Sequence, residues 1–154
     1  MYPLSSSQMG IYAGWAAYPQ TTGYNLPAVV PFPCTVDADR LAAAMQQIAD
    51  MREVLHTRIC TDAEGRPCQY ADMQMSVVVQ RMQTGEYEAQ HYIAHDFVRP
   101  FAIDGSEPLA RFAVIVTPQH HYLLIDIHHI IADGLTIVHS LLGIDLPRAY
   151  TSLG

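Results

Sequence analysis

Two apolar runs, Phe112-Ala113-Val114-Ile115-Val116 and Tyr122-Leu123-Leu124-Ile125, are separated by a short polar stretch that opens with Thr117-Pro118-Gln119. Neither run alternates apolar with polar residues, so each predicts a strand buried on both faces, and the two together form the centre of a sheet. A sheet buried on both faces needs covering elements, and the rest of the chain supplies them. Ser5-Ser6-Ser7-Gln8 precedes Met9, Ile11, Tyr12 and Trp15, an N-cap followed by apolar positions at helical spacing, with a stop near Pro19. Asp37 or Asp39 can cap a second helix whose apolar face is Leu41, Ala44, Met45 and Ile48. A third helix is predicted over Glu86–Val98, with Tyr87, Ile93, Ala94 and Phe97 on roughly one side and Pro100 beyond it. A last one runs over Leu135–Leu142, after Asp133-Gly134.

The remaining segments read as strands and turns. Tyr24–Phe32 is extended and apolar but carries Pro27 and Pro31, which confines it to a border of the sheet. His56–Cys60 and Cys68–Tyr70 flank Asp62-Ala63-Glu64-Gly65 and predict a hairpin, and Ser76–Val79 predicts a β-branched strand. His120-His121 falls in the turn after Pro118, where polar residues are expected. This order of elements predicts an α/β fold, a two-layer sandwich with helices packed on a mixed β-sheet. A chain of 154 residues forms one domain.

Composition excludes several functions. Half the residues are hydrophobic and 15% are charged, which argues for an ordered interior. Eight basic residues, all Arg, face fifteen acidic ones, and no basic run offers a footprint for a phosphate backbone, so no nucleic-acid partner is expected. No stretch approaches the roughly 20 apolar residues of a membrane span, and Met1-Tyr2-Pro3-Leu4-Ser5 lacks the start of a secretion signal. A cytoplasmic location without membrane attachment is expected. Cys34, Cys60 and Cys68 show no metal-ligand spacing and read as small hydrophobes. His91 and His95 share a helix face without a third ligand, so no metal site is expected.

The chemistry-bearing segment is Ile127-His128-His129-Ile130-Ile131-Ala132-Asp133-Gly134, where the second central strand leaves the core. Ile127, Ile130 and Ile131 desolvate the neighbouring rings, which disfavours the imidazolium and keeps a histidine neutral and able to accept a proton. Adjacent strand residues point to opposite faces, so one of His128 and His129 is expected to be structural. Asp133 either caps the last helix or turns back to a cation, and Gly134 permits a close approach.

The string H-H-I-I-A-D-G matches the H-H-x-x-x-D-G signature of condensation domains of nonribosomal peptide synthetases. Leu4-Ser5 with Gln8 and Tyr12 resembles the family's opening S-x-A-Q-x-x-x-W segment, with Ser7 and Tyr12 replacing Ala and Trp. Tyr24-Asn25-Leu26-Pro27 resembles the extended stretch that follows. Met51-Arg52-Glu53-Val54-Leu55-His56-Thr57-Arg58 is similar to R-H-E-x-L-R-T-R, and Gly65-x-Pro67-x-Gln69 and Pro108-Leu109-x-Arg111 repeat further family habits. In that order, the matches are jointly specific.

The resemblance implies a chloramphenicol acetyltransferase-like lobe, the N-terminal one of two over residues 1–154, with the C-terminal lobe absent and the lobe inactive alone. It implies amide formation between aminoacyl or peptidyl thioesters on phosphopantetheine arms, presented by donor and acceptor carrier proteins, with no cofactor bound directly. His129 would be the catalytic base or positioning group, supported by His128, Asp133 and Gly134. An arginine of the L-R-T segment usually pairs with the motif aspartate. Here that arginine is His56 and the leading one is Met51, which leaves His56, Arg58 or Arg111 as candidate partners of Asp133. The alternatives are an epimerization lobe, which shares the signature, and a non-catalytic carrier-docking module. A heterocyclizing variant is disfavoured by the paired histidines.

Overall fold

A computed structural model describes residues 1–154. Strands β6 (Ala110–Val116) and β7 (His120–His128) pair antiparallel, Ala110 opposite Ile127 and Val116 opposite His121. β2 (Asn25–Pro33) runs antiparallel along the other edge of β7, and β5 (Val79–Gln83) runs parallel to β6. The order β2-β7-β6-β5 makes a mixed sheet with the two apolar runs at its centre and the proline-bearing strand at its border.

The two-residue period of the central strands divides their side chains between two cores. Phe112, Val114, Leu123, Ile125 and Ile127 pack with Leu41, Ala44, Met45 and Ile48 of α2 (Ala38–Met51). Ile11, Tyr12 and Trp15 of α1 (Ser6–Ala17) close on the same core. Ala113, Ile115, Tyr122 and Leu124 face the other way, towards Ala89 of α3 (Glu86–His95) and Phe97. Helices therefore pack on the mixed sheet as expected, with α3 on its second face. Asp37, rather than Asp39, caps α2, accepting from the backbone N–H groups of Asp39 and Arg40 at 3.0 and 3.1 Å.

The predicted hairpin forms, with β3 (Thr57–Thr61) against β4 (Pro67–Ala71). It belongs to a separate sheet of order β1-β4-β3, in which β1 is Tyr2–Pro3. Asp62 Oδ1 accepts from the N–H groups of Glu64 and Arg66, and Gly65 takes the positive φ of 79° that closes the turn. Cys60 and Cys68 face each other across the ladder with sulfurs 2.9 Å apart.

Several expected boundaries move. Ser76–Val79 meets the sheet only at Val79, because Gln46 of α2 takes up the backbone before it. Its Nε2 donates to the Val77 carbonyl and its Oε1 accepts from Val79 N–H. The third helix ends at His95 rather than Val98, since the Tyr92 carbonyl accepts from both Asp96 and Phe97 N–H and the chain turns Phe97 into the core. His120 and His121 lie in β7 rather than in the turn, where Thr117 Oγ1 accepts from Gln119 and His120 N–H. The final segment is helical from Gly134, as a π-type stretch over Thr136–Asp145 followed by α4 (Leu146–Ser152). Ile137, Leu141, Leu146 and Ala149 bury its inner side.

Candidate active site

β7 carries the histidine pair to the edge of the core and releases it there. Its last residue, His128, is 2% exposed and still in register opposite Asn25. His129 is the first residue of the following turn and is exposed. The two imidazoles therefore meet different solvents, and the desolvation expected of the pair falls on His128. Burial, helped by the charges of His129 and Arg111, pushes the His128 ring down to about 4. Its Nδ1 accepts the Ile130 N–H at 3.0 Å, which places the ring proton of the neutral form on Nε2. The Phe101 ring meets His128 edge-on with centroids 5.8 Å apart, and Tyr24 lies tilted at 6.1 Å.

The turn is pinned from several sides. Tyr24 O accepts the His129 N–H at 2.8 Å, and His128 O accepts the Ile131 N–H at 3.1 Å. Gln8 Nε2 donates to the Ile130 carbonyl at 2.9 Å. Asp133 Oδ1 then accepts from both the N–H and the Oγ1 of Thr136, at 2.7 and 2.9 Å, which caps the last helix and lowers the Asp133 carboxyl below its ordinary range.

Asp133 thus makes the helix-capping choice, and none of the expected cationic partners reaches it. His56 is 3% exposed, with Nδ1 2.9 Å from the Met75 carbonyl and Nε2 2.8 Å from the Ala49 carbonyl. It ties the end of α2 to the loop before β5. Arg58 is taken by the Asp72 carboxylate, 2.7 Å from its Nε, and by the Gly105 carbonyl. Arg111 donates to the Arg99 and Pro100 carbonyls, both at 2.7 Å, and its guanidinium lies 3.7 Å over the Phe101 ring. It supports the motif from below, through Phe101 onto His128. Arg52, whose side chain the sequence left unassigned, sets its Nη2 against both carboxylate oxygens of Asp145 in the last helix.

Beneath the motif, Asp126 of β7 is fully buried, with Oδ2 accepting from Asn25 Nδ2 at 2.7 Å and lying 3.6 Å from Arg111. Burial pushes its carboxyl up, against the Asn25 bond and the Arg111 charge, which pull it down. Gly134 has no positive φ, and a Cβ there would meet nothing within 4 Å, so this chain's own packing does not require the glycine. A concavity of about 810 Å³ between β5 and α3 is lined by Met82, Tyr87, His91 and Tyr92 among others and by no motif residue. The His91 and His95 rings lie tilted with centroids 4.7 Å apart, and no group of three metal-ligating side chains occurs. No helix is long and apolar enough to cross a membrane.

Sequence reasoning passed over Tyr24, Phe101 and the side chain of Gln8 as parts of this site. The signals for Gln8 were its match to the opening S-x-A-Q-x-x-x-W segment and its place three residues after Ser5, a helix-capping spacing that leaves half of its amide unaccounted for.

A mixed α/β fold with a histidine turn at the end of a central strand defines a class, and similarity to known proteins identifies it. Residues 1–154 match the family model of the condensation domain, and the chain belongs to that family. It is 36% identical over 137 residues to surfactin synthase subunit 2 and 33% identical over 137 residues to one of the plipastatin synthase subunits, both of Bacillus subtilis strain 168. Each match covers 88% of this chain but only 4% and 5% of the relative, so the chain spans about a twentieth of those proteins. In fold it resembles the starter condensation domain of rhizomide synthetase, with a TM-score of 0.83 and 22% identity over 99% of this chain and 37% of that one. The first condensation domain of the CDA synthetase gives 0.81 and 22%, over 99% and 39%.

Proposed function

We propose that this chain is the histidine-bearing N-terminal lobe of a condensation domain, and that its exposed His129 serves amide formation in nonribosomal peptide synthesis. The observation that carries the reading is the division of labour within the pair. His128 is buried and spends Nδ1 on the backbone of the turn, while His129 leaves the strand and presents its ring to the outside. Gly134, five residues on, leaves open space along its Cβ direction, which suits the close approach of a substrate.

In this reading donor and acceptor groups arrive as thioesters on phosphopantetheine arms of carrier proteins. The acceptor amine attacks the donor carbonyl carbon, a C–N bond forms, and a tetrahedral oxyanion appears. His129 takes or steers the amine proton, the C–S bond breaks, and the arm's thiolate leaves and is protonated. Asp133 holds the end of the turn through Thr136, and Arg111 and Phe101 hold His128 in place. General-base assistance of this kind is worth about 10²–10⁴-fold.

The test is intact-mass detection of dipeptide between two loaded carriers, made by the complete synthetase that contains this lobe and by its His129→Ala variant. A loss of about 10²-fold or more is expected. An unchanged rate would remove His129 from the chemistry. Solvent deuterium entering Cα of the tethered residue without peptide transfer would replace the reading by epimerization.

A further inference from the structure

Gln8 uses every hydrogen-bonding valence of its side-chain amide, and its partners come from three different parts of the fold. Oε1 accepts the Ser5 N–H at 2.9 Å, the return half of a capping box at the start of α1, and also Gln69 Nε2 at 3.0 Å. Nε2 donates to Gln69 Oε1 at 3.0 Å and to the Ile130 carbonyl at 2.9 Å. Capping a helix needs only the oxygen. The nitrogen and the reciprocal amide pair with Gln69 serve something else.

Their target is the residue that follows His129. The Ile130 N–H is held by His128 Nδ1 and the Ile130 carbonyl by Gln8 Nε2, so the residue next to His129 is gripped on both its backbone polar groups. Ile130 is 2% exposed, and a buried carbonyl that loses its donor has no water to replace it. Gln69 locks the Gln8 amide against rotation and flipping, because the two side chains exchange both bonds at once. The backbone of the turn, and with it the direction of the His129 ring, is thereby referenced to α1 and to the β3–β4 hairpin.

The geometry points to Gln8, braced by Gln69, as a positioning residue for His129: its amide fixes the Ile130 carbonyl and so the pose of the catalytic turn. This rests on the proposed role of His129, and the experiment separates the two. Gln8→Glu is the informative variant. It keeps an oxygen for the capping box but replaces the donor with a second carboxylate oxygen facing the Ile130 carbonyl. Gln69→Met removes the brace without touching the capping box, and serves if Gln8→Glu lowers the folded yield.

Both variants and His129→Ala are made in the complete synthetase. Dipeptide formation is followed against carrier concentration, and backbone amide exchange of the 126–135 segment is followed by mass spectrometry. For Gln8→Glu the expected result is a kcat lowered about tenfold at unchanged KM for the carriers, with faster exchange in the turn and unchanged exchange in α2 and β6. Gln69→Met gives a smaller change of the same pattern. An unaltered kcat and unaltered exchange in the turn, where His129→Ala is inactive, would overturn the role of Gln8. Should His129→Ala itself be silent, the functional reading fails instead, and the exchange measurement alone decides whether Gln8 holds the turn.

Discussion

The two adjacent histidines differ by one step along the chain and by the whole of their surroundings. His128 ends β7 inside the core, where its ring is pushed to about 4, against 6.5 for a free imidazole. Between those pH values the unfolded chain binds a proton that the folded chain refuses. The stability present above about pH 6.5 is therefore lost as the pH falls towards 4, by about 2–3 kcal/mol from this group. Urea titrations across pH 4–7 should show this slope in the wild type and its loss in His128→Phe. The same variant should lose about 1–3 kcal/mol at pH 7, because the buried Ile130 N–H is left without an acceptor. The thiols diverge in the same way. The hydrogen bond to Cys60, followed by burial, pushes Cys68 up to about 11, while Cys34 is exposed. Iodoacetamide at pH 8 should label Cys34 first and leave Cys68 unmodified until the chain is denatured, as read by peptide mass.

Individual elements are held at their ends by side chains that sequence periodicity does not reveal. The last turn of α2 is closed by His56, which lies against the Ala49 and Met75 carbonyls at once. His56→Ala should cost about 2–3 kcal/mol by urea denaturation, through the lost ring contacts with these carbonyls and a cavity. α4 is held by Arg40, which stacks 4.1 Å over the Tyr150 ring and donates to the Tyr150 carbonyl at 2.6 Å. α3 is tied to the β6–β7 turn by Glu86, which accepts from Thr117 Oγ1, Gln90 Nε2 and the Tyr122 hydroxyl. These bonds hold Glu86 down to about 2, so their contribution, complete above pH 4.5, drains away as the pH falls towards 2. Glu86→Gln should speed amide exchange in α3 at pH 7 while leaving α2 unchanged.

Across the whole molecule, one sheet serves two cores, and β6 and β7 contribute side chains to both in alternation. A cavity on either side therefore weakens the same strands. Leu123→Ala and Leu124→Ala, on opposite faces, should each cost about 2–5 kcal/mol in a single cooperative urea transition. Two separate transitions would mean that the faces unfold independently. The histidine turn sits where this doubly supported strand leaves the core, so loss of either core should also disturb its exchange protection.

Local rules read from residue types determined a large part of this protein. The two apolar runs could only be central strands, the prolines of β2 could only lie at a border, and Ser5 and Asp37 capped helices from their own positions. The histidine signature fell at the end of β7 for the same reason: strand period and desolvation act on neighbours in the chain. What lay beyond the sequence was the choice among distant partners. Asp133 settled on Thr136 because a neighbouring N–H and hydroxyl were within reach, and the three partners that the resemblance suggested, His56, Arg58 and Arg111, were each spent elsewhere. The early end of α3 and the late start of β5 were set by Phe97 entering a core and by Gln46 reaching across from α2. The grip of Gln8 on Ile130 spans 122 positions in the chain. Hydrogen-bond partnership at that separation is decided by which backbones the packed core brings together, and only the tertiary structure holds that information.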